Sequence, residues 1–118
     1  MKIWYKFVKV AYGKALSLKD FEQVYIELED LAESLDKKDK LYVMNKSELF
    51  TKSKEDIFKI LEYLNVILYN TKDIKKINCI EIVEETKRRL NSNSNFDMTI
   101  DNLLIKMWEE VNEKYSRG

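Results

Sequence analysis

The chain contains no proline and only two glycines, Gly13 and Gly118, among its 118 residues. Glycine and proline supply the backbone conformations that tight turns require, so a fold made of many strands and hairpins would need more of both. This shortage argues against a β-sandwich or β-barrel and favours a fold dominated by helices. The length is typical of one domain, and we expect residues 1–118 to form a single domain.

Three segments carry apolar residues at the three- and four-residue spacing of an amphipathic helix. The clearest is residues 18–35, where the apolar stripe is unbroken. A second helix is predicted over residues 54–65 or beyond, with Ser53 as its N-terminal cap. A third is predicted over residues 98–115, with Asp97 as its cap, and the polar run before it, residues 91–95, is expected to be a loop.

Other segments favour strands. Residues 2–12, 41–44 and 77–83 are rich in the β-branched and aromatic types that strands prefer. A helix stays open for 2–12, where Lys2, Lys6 and Lys9 recur at helical spacing, and for 77–83. The apolar run at 66–70 can extend the second helix or form a strand, because so short a run has no period of its own. We therefore predict an α+β fold that is predominantly helical, with an all-α bundle as the alternative.

Histidine is absent, and cysteine occurs once, at position 79. The chain thus lacks the usual general base, the commonest zinc ligand and any Ser–His or Cys–His nucleophile. With Gly13 as the one internal glycine, it also lacks a glycine-rich phosphate loop. We predict a non-enzymatic protein with no metal and no cofactor, in which Cys79 is a small buried apolar residue.

One metal-dependent alternative rests on an acid placed two residues before a lysine, as in nucleases that hold magnesium with carboxylates. Asp73, Glu85 and Lys87 fit that pattern best. However, three such triplets occur in the chain, which is about the number expected by chance from its composition. The pattern therefore carries little weight.

The single cysteine and the first residues indicate the compartment. Lone buried cysteines are typical of reducing environments. Lys6 and Lys9 interrupt the apolar start, so it does not fit a signal-peptide core, and no apolar run has the roughly 18 residues of a membrane span. We expect a cytoplasmic protein that does not bind membranes.

Charge is balanced in total but sorted along the chain. Lysine plus arginine equal aspartate plus glutamate at 21 each, yet residues 1–19 hold five lysines and no acid, and residues 20–36 hold seven acids and no base. The simplest interpretation is that the two segments pack side by side and screen each other. The alternative is that the basic start faces an acidic partner.

Residues 41–83 can also be read as a winged helix, in the order strand, short helix, helix, strand, turn and strand. This reading would place lysines on a recognition helix and on a wing, where DNA phosphates are contacted. Against it, the turn between the helices is short and lacks glycine, and the stretch contains no arginine. The predicted DNA-binding residues are Lys52, Lys54, Lys59, Lys72, Lys75 and Lys76.

The leading hypothesis is a small regulatory or interaction protein that binds another protein or self-associates. Ile26 and Ile105 each lie in a helical row of polar residues, so we predict that both are exposed protein-binding residues. Single exposed isoleucines are also common without any function. The lysine, isoleucine and asparagine bias is typical of AT-rich bacterial and phage genomes, in which small inhibitors and immunity proteins are frequent.

Overall fold

The structure is a computed structural model that describes residues 18–92 and 94–112. Within these residues the chain is folded into helices joined by short turns. A three-residue 3-10 helix, Lys54–Asp56, precedes the fourth α-helix. The α-helices are α1 (Leu18–Ser34), α2 (Lys40–Met44), α3 (Ser47–Thr51), α4 (Ile57–Asn70), α5 (Ile74–Asn91) and α6 (Phe96–Asn112).

The four long helices pack side by side in the order α1, α4, α5, α6. The two short helices pack where the first and last members of this series meet. Each long helix packs against the next, while α2 contacts both α6 and α1, and α3 contacts α6. Short turns make α4, α5 and α6 antiparallel neighbours. The described part of the chain is therefore an all-α bundle.

The predicted α+β fold is wrong, because the described residues contain no strand. Residues 41–44 lie in α2, residues 66–70 form the end of α4, and residues 77–83 form the middle of α5. The predicted strand at 2–12 lies outside the described residues. All three described segments are short apolar runs whose helical period is visible only when their neighbours are included.

The helical period of α5 is hard to see in the sequence, because the inward face of this helix contains polar residues. Its buried residues, Lys76, Cys79, Val83 and Thr86, recur every three or four positions, as one face of a helix requires. One of them is a charged lysine and another a threonine, so the inward row does not look apolar in the sequence. Half-buried isoleucines beside that row add an apolar run with no clear alternation.

The predicted helix boundaries are close to the observed ones, but two caps differ. The α1 prediction over 18–35 is confirmed within one residue. Ser53 makes no capping hydrogen bond with its side chain. For α6, the Oδ1 atom of Asn95 accepts a hydrogen bond from the Met98 amide at 2.9 Å, so Asn95 takes the place predicted for Asp97. The predicted end of that helix lies beyond the described residues.

The turn from α4 to α5 reverses the chain within three residues. Lys72 has a φ of 59°, in the left-handed region that glycine usually occupies where a helix ends. The next residue, Asp73, starts α5 by accepting a hydrogen bond from the Lys75 amide at 3.0 Å. A lysine therefore ends α4 without the glycine that usually marks such a turn.

A single hydrophobic core lies between the helices. Phe21 of α1 packs edge-on against Tyr63 of α4, with ring centroids 4.7 Å apart. The largest side chains with almost no exposed surface come from α1 and the residue after it, from α3, from α4 and from α6. They are Leu28, Leu31, Leu35, Phe50, Ile60, Leu61, Leu64, Leu68, Ile100, Leu103, Leu104 and Met107.

Polar contacts from α6 hold the end of α1 in place. The Asn112 amide donates to the carbonyl oxygen of Leu35 at 2.6 Å, and the Trp108 indole donates to that of Lys38 at 3.1 Å. Carbonyl groups after a helix end have no partner within that helix, so these bonds satisfy groups that would otherwise need water. They close the bundle between its first and last described helices.

An ion pair between a buried lysine and an exposed aspartate joins α5 to the same end of α1. The Lys76 ammonium lies 3.1 Å from the Asp36 carboxylate, and only 8% of the Lys76 side chain is exposed. Burying a lysine is costly unless an opposite charge compensates it. This pair accounts for the charged residue on the inward face of α5.

We expect Leu28→Ala to destabilise the bundle by ~2–5 kcal/mol, because Leu28 has no exposed surface and its truncation leaves a cavity. The matched control is Ile26→Ala on the exposed face of the same helix, which should cost about 0.5 kcal/mol or less. Urea denaturation of both variants measures the difference. Equal losses for the two variants would show that the inward face of α1 is assigned wrongly.

Candidate protein-binding surface

A groove follows the outer surface between α5 and α6, and we call it the α5–α6 groove. It combines two cavities of about 710 and 630 Å³ that share Arg89, Thr99 and Asn102. The first cavity is also lined by Ile77, Ile80, Glu81, Ile82, Glu84, Glu85, Thr86, Arg88, Leu103 and Lys106. The second adds Ser94, Asn95, Met98, Asp101 and Ile105.

Two buried threonines lie at the bottom of the groove, one from each helix. The Thr86 hydroxyl donates to the carbonyl oxygen of Ile82 at 2.9 Å, and the Thr99 hydroxyl donates to that of Asn95 at 2.6 Å. Each hydroxyl is thus satisfied within its own helix. The apolar surface that the groove offers to a ligand therefore comes mainly from the half-buried isoleucines Ile77, Ile80 and Ile82.

Two of the glutamates on the α5 side of the groove, Glu84 and Glu85, have cationic partners. Glu85 accepts hydrogen bonds from Arg88 at 2.7 Å and Arg89 at 3.3 Å, which lowers the pKa of the Glu85 carboxyl. Glu84 accepts from Lys87 and from Asn65 at 2.7 Å, and the bond from Lys87 contributes most to lowering the pKa of Glu84. Both carboxylates therefore stay ionised at neutral pH.

The structure places the two predicted protein-binding isoleucines on different surfaces. Ile105 is half-buried and lines the second cavity of the groove. Ile26 lies on α1 with 55% of its surface exposed, and it lines none of the cavities described here. The pair therefore does not form one site, and only Ile105 belongs to the groove.

Met98, which is not among the residues predicted from the sequence, is 70% exposed and lines the same cavity as Ile105. Met98 lies seven residues before Ile105, so the two side chains share one face of α6, two turns apart. That spacing was visible in the sequence. The predicted helix begins at Met98, and the direction of a side chain at the first residue of a helix is hard to infer from the sequence.

The six lysines predicted to bind DNA do not form one surface. Lys59 pairs with Asp56 at 3.8 Å, and Lys76 is buried against Asp36. Lys54 lies over the ring of Phe96, 4.8 Å from its centroid. Lys52 and Lys54 precede α4, whereas Lys72 and Lys75 follow it, so the 14-residue helix separates the two groups by about 21 Å.

The winged-helix interpretation itself is wrong, because the three segments that it assigns to strands lie in helices. Residues 66–70 belong to α4 and residues 77–83 to α5. The turn between them is only a three-residue helix connection. DNA binding by these six lysines stays an alternative hypothesis.

The residues considered for metal and thiol chemistry have structural contacts instead. Asp73 caps α5 and lies twelve residues from Glu85 along that helix, roughly 18 Å at 1.5 Å per residue. Among the described residues, no group of three or more potential metal ligands comes together. Cys79 has no exposed surface, and burial, followed by the charge of Glu110, raises the pKa of its thiol to about 12.

Comparison with known proteins yields no relative. No protein-family model matches the chain, and neither a curated protein nor a solved structure is similar to it.

In residues 18–92 and 94–112, no helix has both the length and the apolar character that crossing a bilayer requires.

The scattered lysines lead to a prediction about DNA. We expect no measurable affinity for random duplex DNA even at ~20 mM salt, where weak screening exaggerates any attraction. Fluorescence anisotropy with a labelled duplex measures this. Tight binding that falls steeply with salt, by a slope of about −0.9 per phosphate neutralised, would contradict the expectation. In that case Lys52→Ala/Lys54→Ala and Lys72→Ala/Lys75→Ala would show which end of α4 is responsible.

Proposed function

We propose that this chain is a small, non-enzymatic regulatory protein of the cytoplasm that binds another protein through the α5–α6 groove. One observation carries the proposal: Met98 and Ile105 lie on the outer face of α6, in the cavity that continues the groove. Exposed apolar residues beside a groove are typical of protein-binding sites. The cytoplasmic location is supported only by the lone buried cysteine, Cys79.

The shape of the groove favours a helical segment of the partner as its occupant. Antiparallel helices such as α5 and α6 leave a straight furrow between their side-chain ridges, into which a third helix can pack. A partner helix would place apolar side chains at three- and four-residue spacing along that furrow. Met98 and Ile105, two turns apart, would meet such a row from one side.

The charges around the groove support binding more than catalysis. A general acid at neutral pH needs a raised pKa, whereas the bonds from Lys87 and Arg88 lower the pKa values of Glu84 and Glu85. Because these carboxylates already have cationic partners, they are suited to keeping the helix surface soluble and the groove open. Lys106, on the opposite side, is exposed and forms no ion pair within the described residues, so it is free to select an acidic group.

The proposal is tested by Ile105→Glu, which puts a charge into the groove. Ile26→Glu is the matched control, since it makes the same change at an exposed isoleucine on α1. Affinity capture from the native host should recover a protein with the wild type and with Ile26→Glu, but not with Ile105→Glu. With that partner purified, we expect Ile105→Glu to weaken binding about thirtyfold or more, as for a central interface residue.

Both variants should melt within a few degrees of the wild type, which excludes unfolding as the cause. A captured protein that binds Ile105→Glu as tightly as the wild type would overturn the groove as its site. Equal loss with both variants would show that the contact is not specific to the groove.

A further inference from the structure

A patch on α1 combines an exposed apolar residue with two glutamates. Ile26 lies one turn after Glu22 and one turn before Glu29. Among the described residues, neither of these two glutamates forms an ion pair. Three other acids of the helix, Glu27, Asp30 and Glu33, do have cationic partners, and Lys46 pairs with the first two. We call Glu22, Ile26 and Glu29 the α1 patch.

The turn between α4 and α5 carries the opposite combination. Tyr69 and Ile74 are 65% and 66% exposed, which is unusual for such large side chains. Lys72 and Lys75, beside them, are exposed and form no ion pair with any described residue. Lys72 lies outside both helices in its left-handed conformation. We call Tyr69, Lys72, Ile74 and Lys75 the turn patch.

The two patches are complementary. Each surrounds an exposed apolar residue with two charged side chains that form no ion pair with any described residue, negative on α1 and positive on the turn. The chain also shows how α1 binds a lysine. Lys46 lies 2.6 Å from Asp30 and 3.2 Å from Glu27, and the Tyr42 hydroxyl donates to Asp30 at 2.9 Å. The turn patch offers the same two side-chain types, lysine and tyrosine, on an exposed turn.

We propose that copies of this chain self-associate by docking the turn patch of one copy on the α1 patch of the next. Isoleucine side chains would make the apolar contact, and two lysines would face two glutamates. Because the two surfaces differ, the contact either repeats head-to-tail from copy to copy or closes reciprocally in a two-fold dimer. The contact uses no residue of the α5–α6 groove and does not depend on the function proposed for it.

Sedimentation velocity of the full chain at ~20 mM salt tests the proposal, since exposed charges are weakly screened there. The average mass of the wild type should rise with protein concentration and fall when salt is added. Glu22→Lys/Glu29→Lys and Lys72→Glu/Lys75→Glu should each lower the association constant by about tenfold or more, because each places like charges opposite one another. Lys52→Glu/Lys106→Glu, with the same net charge as the second variant, should associate like the wild type.

The decisive variant carries all four reversals of the two patches. Its net charge equals that of the wild type, and its patches are again complementary with their signs exchanged, so self-association should return. A wild type that stays monomeric at every concentration would overturn the proposal. It would also fail if the fourfold variant stays dissociated while its melting curve matches the wild type, or if the control variant dissociates as well.

Discussion

The helix α5 is the element on which the other long helices depend. It packs against α4 on one side and α6 on the other, and its inward residues Cys79 and Val83 have no exposed surface. Its alignment with α4 is set by polar pairs: Lys87 binds Glu62, and Glu84 accepts a hydrogen bond from Asn65 at 2.7 Å. A strand over 77–83 would rise about 3.3 Å per residue instead of 1.5 Å, so the Lys76–Asp36 pair before it and the Lys87–Glu62 pair after it could not form together.

The groove follows from the same arrangement. Because α5 and α6 are antiparallel neighbours with Thr86 and Thr99 between them, their backbones approach closely and a furrow remains outside. Trp108 and Asn112 fix the far end of α6 through their bonds to the carbonyl groups after α1. A partner bound in the groove would therefore meet two helices whose positions are already determined, and it would lose little free energy in ordering them.

The sequence predicted those elements whose apolar stripe is complete. In α1, the predicted stripe residues Phe21, Leu28 and Leu35 are all buried. For α5, the stripe includes Lys76, which can be buried only because Asp36 from a distant part of the chain lies 3.1 Å away. No local pattern indicates such a partner, so the β-branched composition decided the prediction and gave a strand.

Only part of the candidate site could be predicted from the sequence, because its position also depends on contacts between distant parts of the chain. Ile105 could be identified from its polar helical row, but whether such a residue borders a groove depends on which helix packs beside it. Ile26, chosen by the same rule, lies on α1 away from that groove. The lysines were grouped by their closeness in the sequence, and α4 carries Lys54 and Lys75 to opposite ends of the bundle.

The most direct test of this account is the conformation of residues 77–83 in solution. Backbone NMR assignment of the full chain gives the Cα secondary chemical shift of each residue from Ile74 to Asn91. We expect an unbroken series of positive Cα shifts, with sequential amide–amide contacts, as in a continuous helix. Negative Cα shifts and cross-strand contacts over 77–83 would show a strand there and would contradict the bundle, together with the groove that α5 forms with α6.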